Sequence, residues 1–129
     1  YIIKRGIHAF VMLNAFPYNN GHVMIAPYAH AATLEELPPE TRHEMMDLAA
    51  ECSRALKAAF HPEGINAGFN LGAAAGAGIA DHLHMHLVPR WNGDTNFMPV
   101  LADVRVIPQS LDASWQLLSD AFAALDGES

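Results

Sequence analysis

A short stretch of alternating histidine and apolar side chains has the strongest structural consequence in this sequence. It reads His82-Leu83-His84-Met85-His86-Leu87-Val88. Successive side chains of a β-strand point to opposite faces of the sheet, so this alternation predicts a strand with one histidine face and one apolar face. The apolar face can be buried in a core, whereas the histidines form a row with Cα spacings of about 6–7 Å.

The other apolar runs predict further strands. Residues 7–14 and 22–26 read as two strands, and the short loop between them contains an Asn-Gly pair, which favours an antiparallel hairpin. Residues 66–71 predict a third strand, and the histidine strand extends over residues 82–90. Residues 103–107 predict a short additional strand.

Two segments have the spacing of amphipathic helices. Pro38-Pro39-Glu40 is typical of a helix start, and apolar residues recur at helical spacing over residues 40–60, up to His61-Pro62. The apolar positions of this helix are Met45, Leu48, Ala49, Cys52, Ala55, Leu56 and Ala59. Residues 110–125 predict a C-terminal helix, whose apolar face consists of Leu111, Trp115, Leu118, Phe122 and Leu125. Together these elements indicate an α+β domain with a mostly antiparallel sheet, one long helix and a C-terminal helix.

Composition and charge limit the class of protein. The chain has 129 residues, 51% hydrophobic and 16% charged, so we expect one folded domain over residues 1–129 rather than a disordered segment. The net charge of −7 argues against a general nucleic-acid binder, which needs a basic face. The longest apolar run, residues 71–80, is mostly Gly and Ala and is too short to span a membrane.

Two further expectations concern the compartment and the start of the chain. The single cysteine, Cys52, excludes an internal disulfide and fits a reducing compartment, which we take to be the cytoplasm. No signal peptide is recognisable. Because the chain begins at Tyr1 without a methionine, we expect an N-terminal segment to be missing from this numbering.

The histidine row is compatible with three kinds of role. Neutral imidazoles at alternate strand positions are good zinc or iron ligands. Alternatively, one imidazole attacks phosphorus to form a covalent phosphoramidate, while its neighbours orient it or protonate the leaving group. The third interpretation is a solvated or structural histidine face. The other histidines, His8, His30, His43 and His61, have no supporting pattern and are assigned to the surface or to turns.

The loop before the row favours the phosphate interpretation. It reads Asn70-Leu71-Gly72-Ala73-Ala74-Ala75-Gly76-Ala77-Gly78. A loop without large side chains lets backbone N–H groups approach an anion closely. It is neither a Walker loop nor a dinucleotide-binding fingerprint, because Gly-Lys-Ser/Thr is absent and no helix follows.

These residues resemble the histidine-triad (HIT) family. The row matches the family's signature, and His86 separates the chain from the galactose-1-phosphate uridylyltransferase branch, which has Gln there. A second similar block is Asn14-Ala15-Phe16-Pro17-Tyr18-Asn19-Asn20-Gly21-His22-Val23-Met24-Ile25-Ala26-Pro27. A third, similar to bacterial members that cleave diadenosine tetraphosphate, is Val88-Pro89-Arg90-Trp91-Asn92-Gly93-Asp94-Thr95-Asn96-Phe97. The resemblance covers nearly the whole chain.

The resemblance implies a role for each histidine of the cluster. His84 corresponds to the nucleophile that attacks the α-phosphorus. His86 corresponds to the residue that contacts the phosphate and the bridging oxygen of the leaving group. His82 supports the orientation of the nucleophile, partly through its backbone. His22 corresponds to a fourth histidine that joins the cluster from a neighbouring strand, or else is a buried structural residue.

The resemblance also implies a nucleotide-binding set. Asn14 corresponds to the ribose ligand. Strand alternation places Met12 on the face of Asn14 and Met24 on the face of His22, so these methionines either line a slot for the base or belong to the core. Asn70 and the turn formed by Gly76, Ala77 and Gly78 correspond to the phosphate-binding loop. Arg90, Asn96 and Gln109 are further candidates to reach a longer polyphosphate.

The implied activity is cleavage of a phosphoanhydride in a dinucleoside polyphosphate through a nucleotidyl-histidine intermediate. The acceptor is inorganic phosphate or water, and the similarity favours a phosphorylase. We expect a homodimer without cofactor, and no metal because the N-terminal cysteine pair of some zinc-binding relatives is absent. The alternatives are a purine nucleoside phosphoramidase, a nucleotide-binding module with little turnover, and a metal protein. The phosphoramidase pattern has a Ser or Thr close to the triad, which this chain lacks.

Overall fold

A five-stranded antiparallel sheet carries two helices on one of its faces. The computed structural model describes residues 1–15, 19–75, 82–94 and 110–127. The strands are β1 (Ile2–Arg5), β2 (Ala9–Leu13), β3 (Val23–Pro27), β4 (Gly64–Phe69) and β5 (Met85–Arg90). The helices are α1 (Pro39–Phe60) and α2 (Leu111–Gly127), and Ala73–Ala75 form a short 3-10 turn. The strand order β1-β2-β3-β5-β4 confirms the predicted α+β fold class.

The predicted hairpin is confirmed. β2 and β3 pair antiparallel from Ala9 opposite Pro27 to Leu13 opposite Val23. The pairing continues into the loop, where the Asn14 N–H donates to the His22 carbonyl at 2.9 Å. Gly21, in this loop, has a φ of 81°, a conformation that glycine adopts without strain.

The sheet contains one strand that the patterns above did not predict. β1 pairs antiparallel with β2, and the Leu13 N–H donates to the Tyr1 carbonyl at 2.9 Å. The four residues of β1 are too few to show an alternation, so this strand is recognisable only from its partner.

The histidine strand is shorter than predicted. β5 begins at Met85, so His82 and His84 precede the paired residues. The alternation nevertheless holds, because Leu83, Met85 and Leu87 are all buried in the core. The segment before β5 is held instead by the loop that leads to α1, where the Ala31 carbonyl accepts from the Leu83 N–H at 2.7 Å.

Both predicted helices are confirmed, with small shifts at their ends. Pro39 lies in the first turn of α1, and His61 ends the helix in the left-handed conformation, with a φ of 50°. The buried stripe of α1 contains Met45, Leu48, Ala49, Cys52, Ala55 and Leu56, and Ala59 packs at its edge. Cys52 lies in the core, and this burial raises the pKa of its thiol to about 12.

In the part of the chain that the structure describes, the helices cover one face of the sheet and leave the other face open. Val11, Leu13, Val23 and Ile25 on the covered face are at most 1% exposed. Leu118 and Phe122 of α2 join the same core. The open face is therefore the one on which the histidine row lies.

Some predicted features lie outside the described residues. They are the glycine-containing turn formed by Gly76, Ala77 and Gly78, the strand over residues 103–107, and the candidates Asn96 and Gln109. Among the helices of the described part, none is long and apolar enough to cross a bilayer.

Candidate active site

The register of the sheet brings residues of four strands into one row on the open face. Met12 lies opposite Met24, Met24 opposite His86, and His86 opposite Gly68. Residues opposite each other in an antiparallel pair share a face, so the histidines and the two methionines are neighbours. A cleft of about 340 Å³ lies beside the row and is lined by His22, Asn66, Ala67, Gly68, Phe69, Asn70, His86 and Val88.

His84 is held in one tautomer by its own backbone. Its Nδ1 lies 2.9 Å from the carbonyl oxygen of His82. A carbonyl oxygen only accepts, so Nδ1 carries the proton and, in the neutral ring, Nε2 keeps its lone pair. This arrangement leaves the lone pair of His84 Nε2 available without any further proton transfer.

His82 anchors the segment that carries His84. Its Nε2 donates to the Pro27 carbonyl at 2.9 Å, and its ring contacts that of His30, with 5.7 Å between the centroids. His30 is exposed, as expected, but its contact with His82 was not predicted. The contact joins residues 52 positions apart, and no local pattern reports such a distance.

A hydrogen bond joins the rings of His22 and His86. His22 Nε2 lies 2.8 Å from His86 Nδ1, so the structure places the ring of His22 next to the triad. Asn14 Nδ2 lies 3.4 Å from His22 Nδ1, and an amide nitrogen only donates. Both contacts are satisfied when His22 donates from Nε2 to His86. His86 then carries its own proton on Nε2.

The electrostatics of the cluster favour neutral rings. Burial, together with repulsion from His86 and His84, lowers the pKa of His22 to about 4. Burial and the neighbouring His84 also lower the pKa of His86. At neutral pH, His22 and His86 are therefore both uncharged.

The residues predicted to bind a nucleotide surround this cluster. Met12 and Met24 are half-buried and directly opposite each other on the open face, as strand alternation predicts. Asn14 follows β2 beside His22. Asn70 is exposed just after β4 and lines the histidine cleft.

Arg90 is more engaged than the sequence suggested. Its Nε and Nη2 donate to the two carboxylate oxygens of Asp94 at 2.9 and 3.0 Å, and its Nη1 donates to Asn66 Oδ1 at 2.8 Å. Asp94 also accepts from Asn19 and from the Trp91 N–H. The hydrogen bonds from Arg90 and Trp91 lower the pKa of Asp94 to about 2, so this carboxylate stays charged.

The Arg90 network borders a second cleft that the sequence did not indicate. It has about 410 Å³ and is lined by Glu63, Gly64, Ile65, Asn66, Arg90, Trp91, Asn92, Gly93 and Asp94. It is larger than the histidine cleft but contains none of the triad. The sequence patterns did not indicate that Asn66 lines a cleft, because its place follows only from its pairing opposite Val88 in the sheet.

Several ring nitrogens of the cluster are already engaged in hydrogen bonds. His82 Nε2 and His84 Nδ1 are bonded to backbone carbonyls, and His22 Nε2 is bonded to His86. Within the described ranges, no group of three or more His, Cys, Asp or Glu side chains is placed to hold a metal ion. That the chain needs no metal or cofactor stays a prediction.

Comparison with known sequences identifies relatives of this chain. The model of the HIT domain matches residues 2–93. AP-4-A phosphorylase of Mycobacterium tuberculosis is 40% identical over 122 residues, which are 95% of this chain and 63% of that protein. This chain thus spans less than two thirds of that relative. An uncharacterized 16.1 kDa HIT-like protein of Mycoplasma pneumoniae is 33% identical over 87% of this chain and 76% of its own length.

Solved structures share the fold. The crystal structure of a zinc-bound histidine triad family protein from Mycobacterium smegmatis has a TM-score of 0.81 and 31% sequence identity. The similarity covers 99% of this chain and 87% of that one. Since the domain model matches more than half of the sequence and the identities extend over nearly all of it, the chain belongs to the HIT domain family.

Proposed function

We propose that this chain cleaves a phosphoanhydride bond in dinucleoside polyphosphates and carries the nucleotide on His84 during the reaction. The observation that carries the proposal is the hydrogen bond from His84 Nδ1 to the His82 carbonyl, which leaves Nε2 with its lone pair. The His84 ring contacts that of His86, which lines the cleft, with 4.6 Å between the centroids. The 40% identity to a protein named AP-4-A phosphorylase supports the same substrate class.

The first step transfers a nucleotide to the protein. The lone pair of His84 Nε2 attacks the α-phosphorus, an N–P bond forms, and the P–O bond to the remaining polyphosphate breaks. His86 donates a hydrogen bond from its Nε2–H to the departing oxygen, which leaves as part of a polyphosphate anion and needs no proton. The His22 contact holds His86 in this tautomer. Diadenosine tetraphosphate would then release ATP and leave AMP on His84.

The second step frees the nucleotide. An oxygen of inorganic phosphate or of water attacks the α-phosphorus, the N–P bond breaks, and the electron pair returns to His84 Nε2. Any proton on the attacking oxygen is released to solvent. Phosphate as the acceptor gives ADP, and water gives AMP. We favour phosphate, since the M. tuberculosis relative is named a phosphorylase.

Binding of the nucleotide is assigned to the residues around the row. Asn14 binds the ribose hydroxyls, Met12 and Met24 flank the base, and Asn70 binds the α-phosphate together with the turn formed by Gly76, Ala77 and Gly78. Met12 and Met24 lie opposite each other, two residues along their strands from Asn14 and His22, which is a suitable place for a base next to its ribose.

The test is an assay with diadenosine tetraphosphate, with and without inorganic phosphate. Phosphate-dependent ADP plus ATP indicates a phosphorylase, and AMP plus ATP without phosphate indicates a hydrolase. His84→Ala should lower the rate about a thousandfold or more. His43→Ala, an exposed histidine on α1, is the matched control and should leave the rate unchanged.

Two results would overturn the proposal. If turnover survives His84→Ala, His84 is not the nucleophile. If the wild-type chain makes no product, it does not have the proposed activity. Adenosine phosphoramidate, tested in parallel, identifies a phosphoramidase if it is cleaved faster than the dinucleotide. Nucleotide binding without turnover of either substrate indicates a binding module.

A further inference from the structure

The two clefts on the open face are joined at Asn66. This residue lines both the cleft of about 340 Å³ at the histidines and the cleft of about 410 Å³ at Arg90. Along β5, the side chains on this face run from His86 through Val88 to Arg90. The clefts therefore form one trough that starts at the histidines and continues past Asn66.

Asn66 stands where the trough leaves the histidines. It lies opposite Val88, and Gly68, on the same strand and face, lies opposite His86. Gly68 has nothing within 4 Å of the position that a Cβ would occupy, so the space between Asn66 and His86 is open. The Asn66 side chain is itself exposed to the trough.

Arg90 determines how the amide of Asn66 is oriented. A guanidinium only donates, so its 2.8 Å contact fixes Oδ1 of Asn66 as the acceptor and leaves Nδ2 as the outward donor. Arg90 in turn is held by both oxygens of Asp94, whose side chain is only 12% exposed. Asn19 holds Asp94 from the β2–β3 loop at 2.8 Å.

The charge of Arg90 is balanced by Asp94, which makes the guanidinium a poor ligand for a phosphate. The amide of Asn66 has no such counter-charge, and its donor can meet a phosphate oxygen. On this geometry we propose that Asn66 binds the polyphosphate of the leaving group, and that Arg90 acts through Asn66 as a positioning residue. The inference rests on the proposed function, because it assigns a contact to the part of the substrate that departs.

The test compares two substrates that differ only in the leaving group. The leaving group of diadenosine tetraphosphate contains a polyphosphate, whereas the leaving group of the p-nitrophenyl ester of AMP contains no phosphate. Asn66→Ala should lower kcat/KM for the tetraphosphate about tenfold, the size expected for one hydrogen bond to a charged group, and leave the ester within twofold. Gln116→Ala, an exposed amide on α2 across the sheet, should change neither.

Arg90→Gln tests the positioning role. It should show the same selectivity for the tetraphosphate, and the double variant should be no worse than Asn66→Ala alone, because both substitutions remove one contact. Equal losses on both substrates, or no loss from Asn66→Ala, would overturn the inference. If the losses in kcat/KM of the two single variants add up in the double variant, Arg90 has a phosphate contact of its own and does not act through Asn66.

A binding measurement separates this inference from the proposed function. If the wild-type chain cleaves neither substrate, the proposed function fails, and calorimetry with ATP and AMP decides the role of Asn66. Asn66→Ala should then weaken ATP binding about tenfold relative to AMP binding. An unchanged ratio of the two affinities rules out a polyphosphate contact.

Discussion

At the scale of single residues, two backbone carbonyls organise the histidines. The carbonyls of His82 and Pro27 accept from His84 and His82, respectively. Since a peptide carbonyl cannot donate, both rings are fixed in tautomer and orientation. The chemistry proposed for His84 thus depends on the position of a backbone carbonyl.

The buried ring of His22 should make the stability of the protein depend on pH. Its pKa is about 4 in the folded chain, against 6.5 for the ordinary side chain, so the unfolded chain binds more protons between these values. The contribution is fully present above pH 6.5 and is lost as the pH falls towards 4, by up to about 3 kcal/mol.

Urea unfolding of the wild type and of His22→Asn at several pH values measures this contribution. The free energy of unfolding should fall less steeply between pH 6.5 and 4 in the variant, because position 22 then carries no titratable side chain. Parallel curves for the two proteins would show that His22 is not the group responsible.

At the scale of elements, one carboxylate of α1 holds the turn between β1 and β2. Glu44 Oε2 accepts from the His8 and Ala9 N–H groups at 2.6 Å each, and Oε1 accepts from the Ile7 N–H at 3.1 Å. This contact ties the turn to the helix and places β1 against the edge of β2. A single glutamate on a helix gives no local sign of such a role.

Glu44→Gln should destabilise the protein by about 1–3 kcal/mol, because an amide nitrogen cannot accept from the N–H groups that it would face. Chemical denaturation measures the loss. Asp47→Asn, an exposed carboxylate on the same helix, is the matched control and should stay within about 0.5 kcal/mol. Equal effects of the two substitutions would mean that Glu44 contributes only its charge.

Two glycines with the same backbone conformation should differ in their tolerance of alanine. Gly21 has a φ of 81° and Gly93 a φ of 83°. A Cβ at Gly21 would lie 3.0 Å from the Phe60 ring, whereas one at Gly93 would meet nothing within 4 Å. Gly93→Ala should therefore cost only the backbone strain, about 1 kcal/mol, and Gly21→Ala about 1–2 kcal/mol more.

Thermal or urea unfolding of both variants checks the difference. A loss at Gly21 no larger than that at Gly93 would show that the Phe60 ring moves aside freely. The comparison separates two causes because the strain is common to both positions and the close contact belongs to the hairpin alone.

At the scale of the whole molecule, the sheet formed by the described residues ends at β1 on one side and at β4 on the other. The edge strand β4 contains Gly64, Asn66 and Ala67, all exposed in the single chain. An edge strand presents unpaired backbone groups that favour pairing with another chain. This observation supports the homodimer expected from the family resemblance.

Sedimentation equilibrium over a range of micromolar concentrations tests the dimer. We expect twice the mass of the single chain throughout. A monomer mass at the highest concentration would contradict the expectation and would leave β4 as a solvent-exposed edge.

Local patterns were sufficient for both helices, for every strand of the described sheet except β1, and for the face on which the histidines and the two methionines lie. The alternation around His84 and the helical spacing over α1 follow from backbone periods of two and 3.6 residues, which any stretch of chain expresses without knowledge of the rest. The same periods placed Met12 and Met24 on the open face, and the structure agrees.

Contacts between distant segments were decided by the tertiary structure alone. They include the hydrogen bond between His22 and His86, the pairing of β1 with β2, and the network from Asp94 through Arg90 to Asn66. All of them join different segments of the chain. Each depends on which strands become neighbours and in which register, and this is set by burial of the common core rather than by any local spacing. The sequence therefore gives the side chains available for the chemistry, and the packed sheet determines which of them meet.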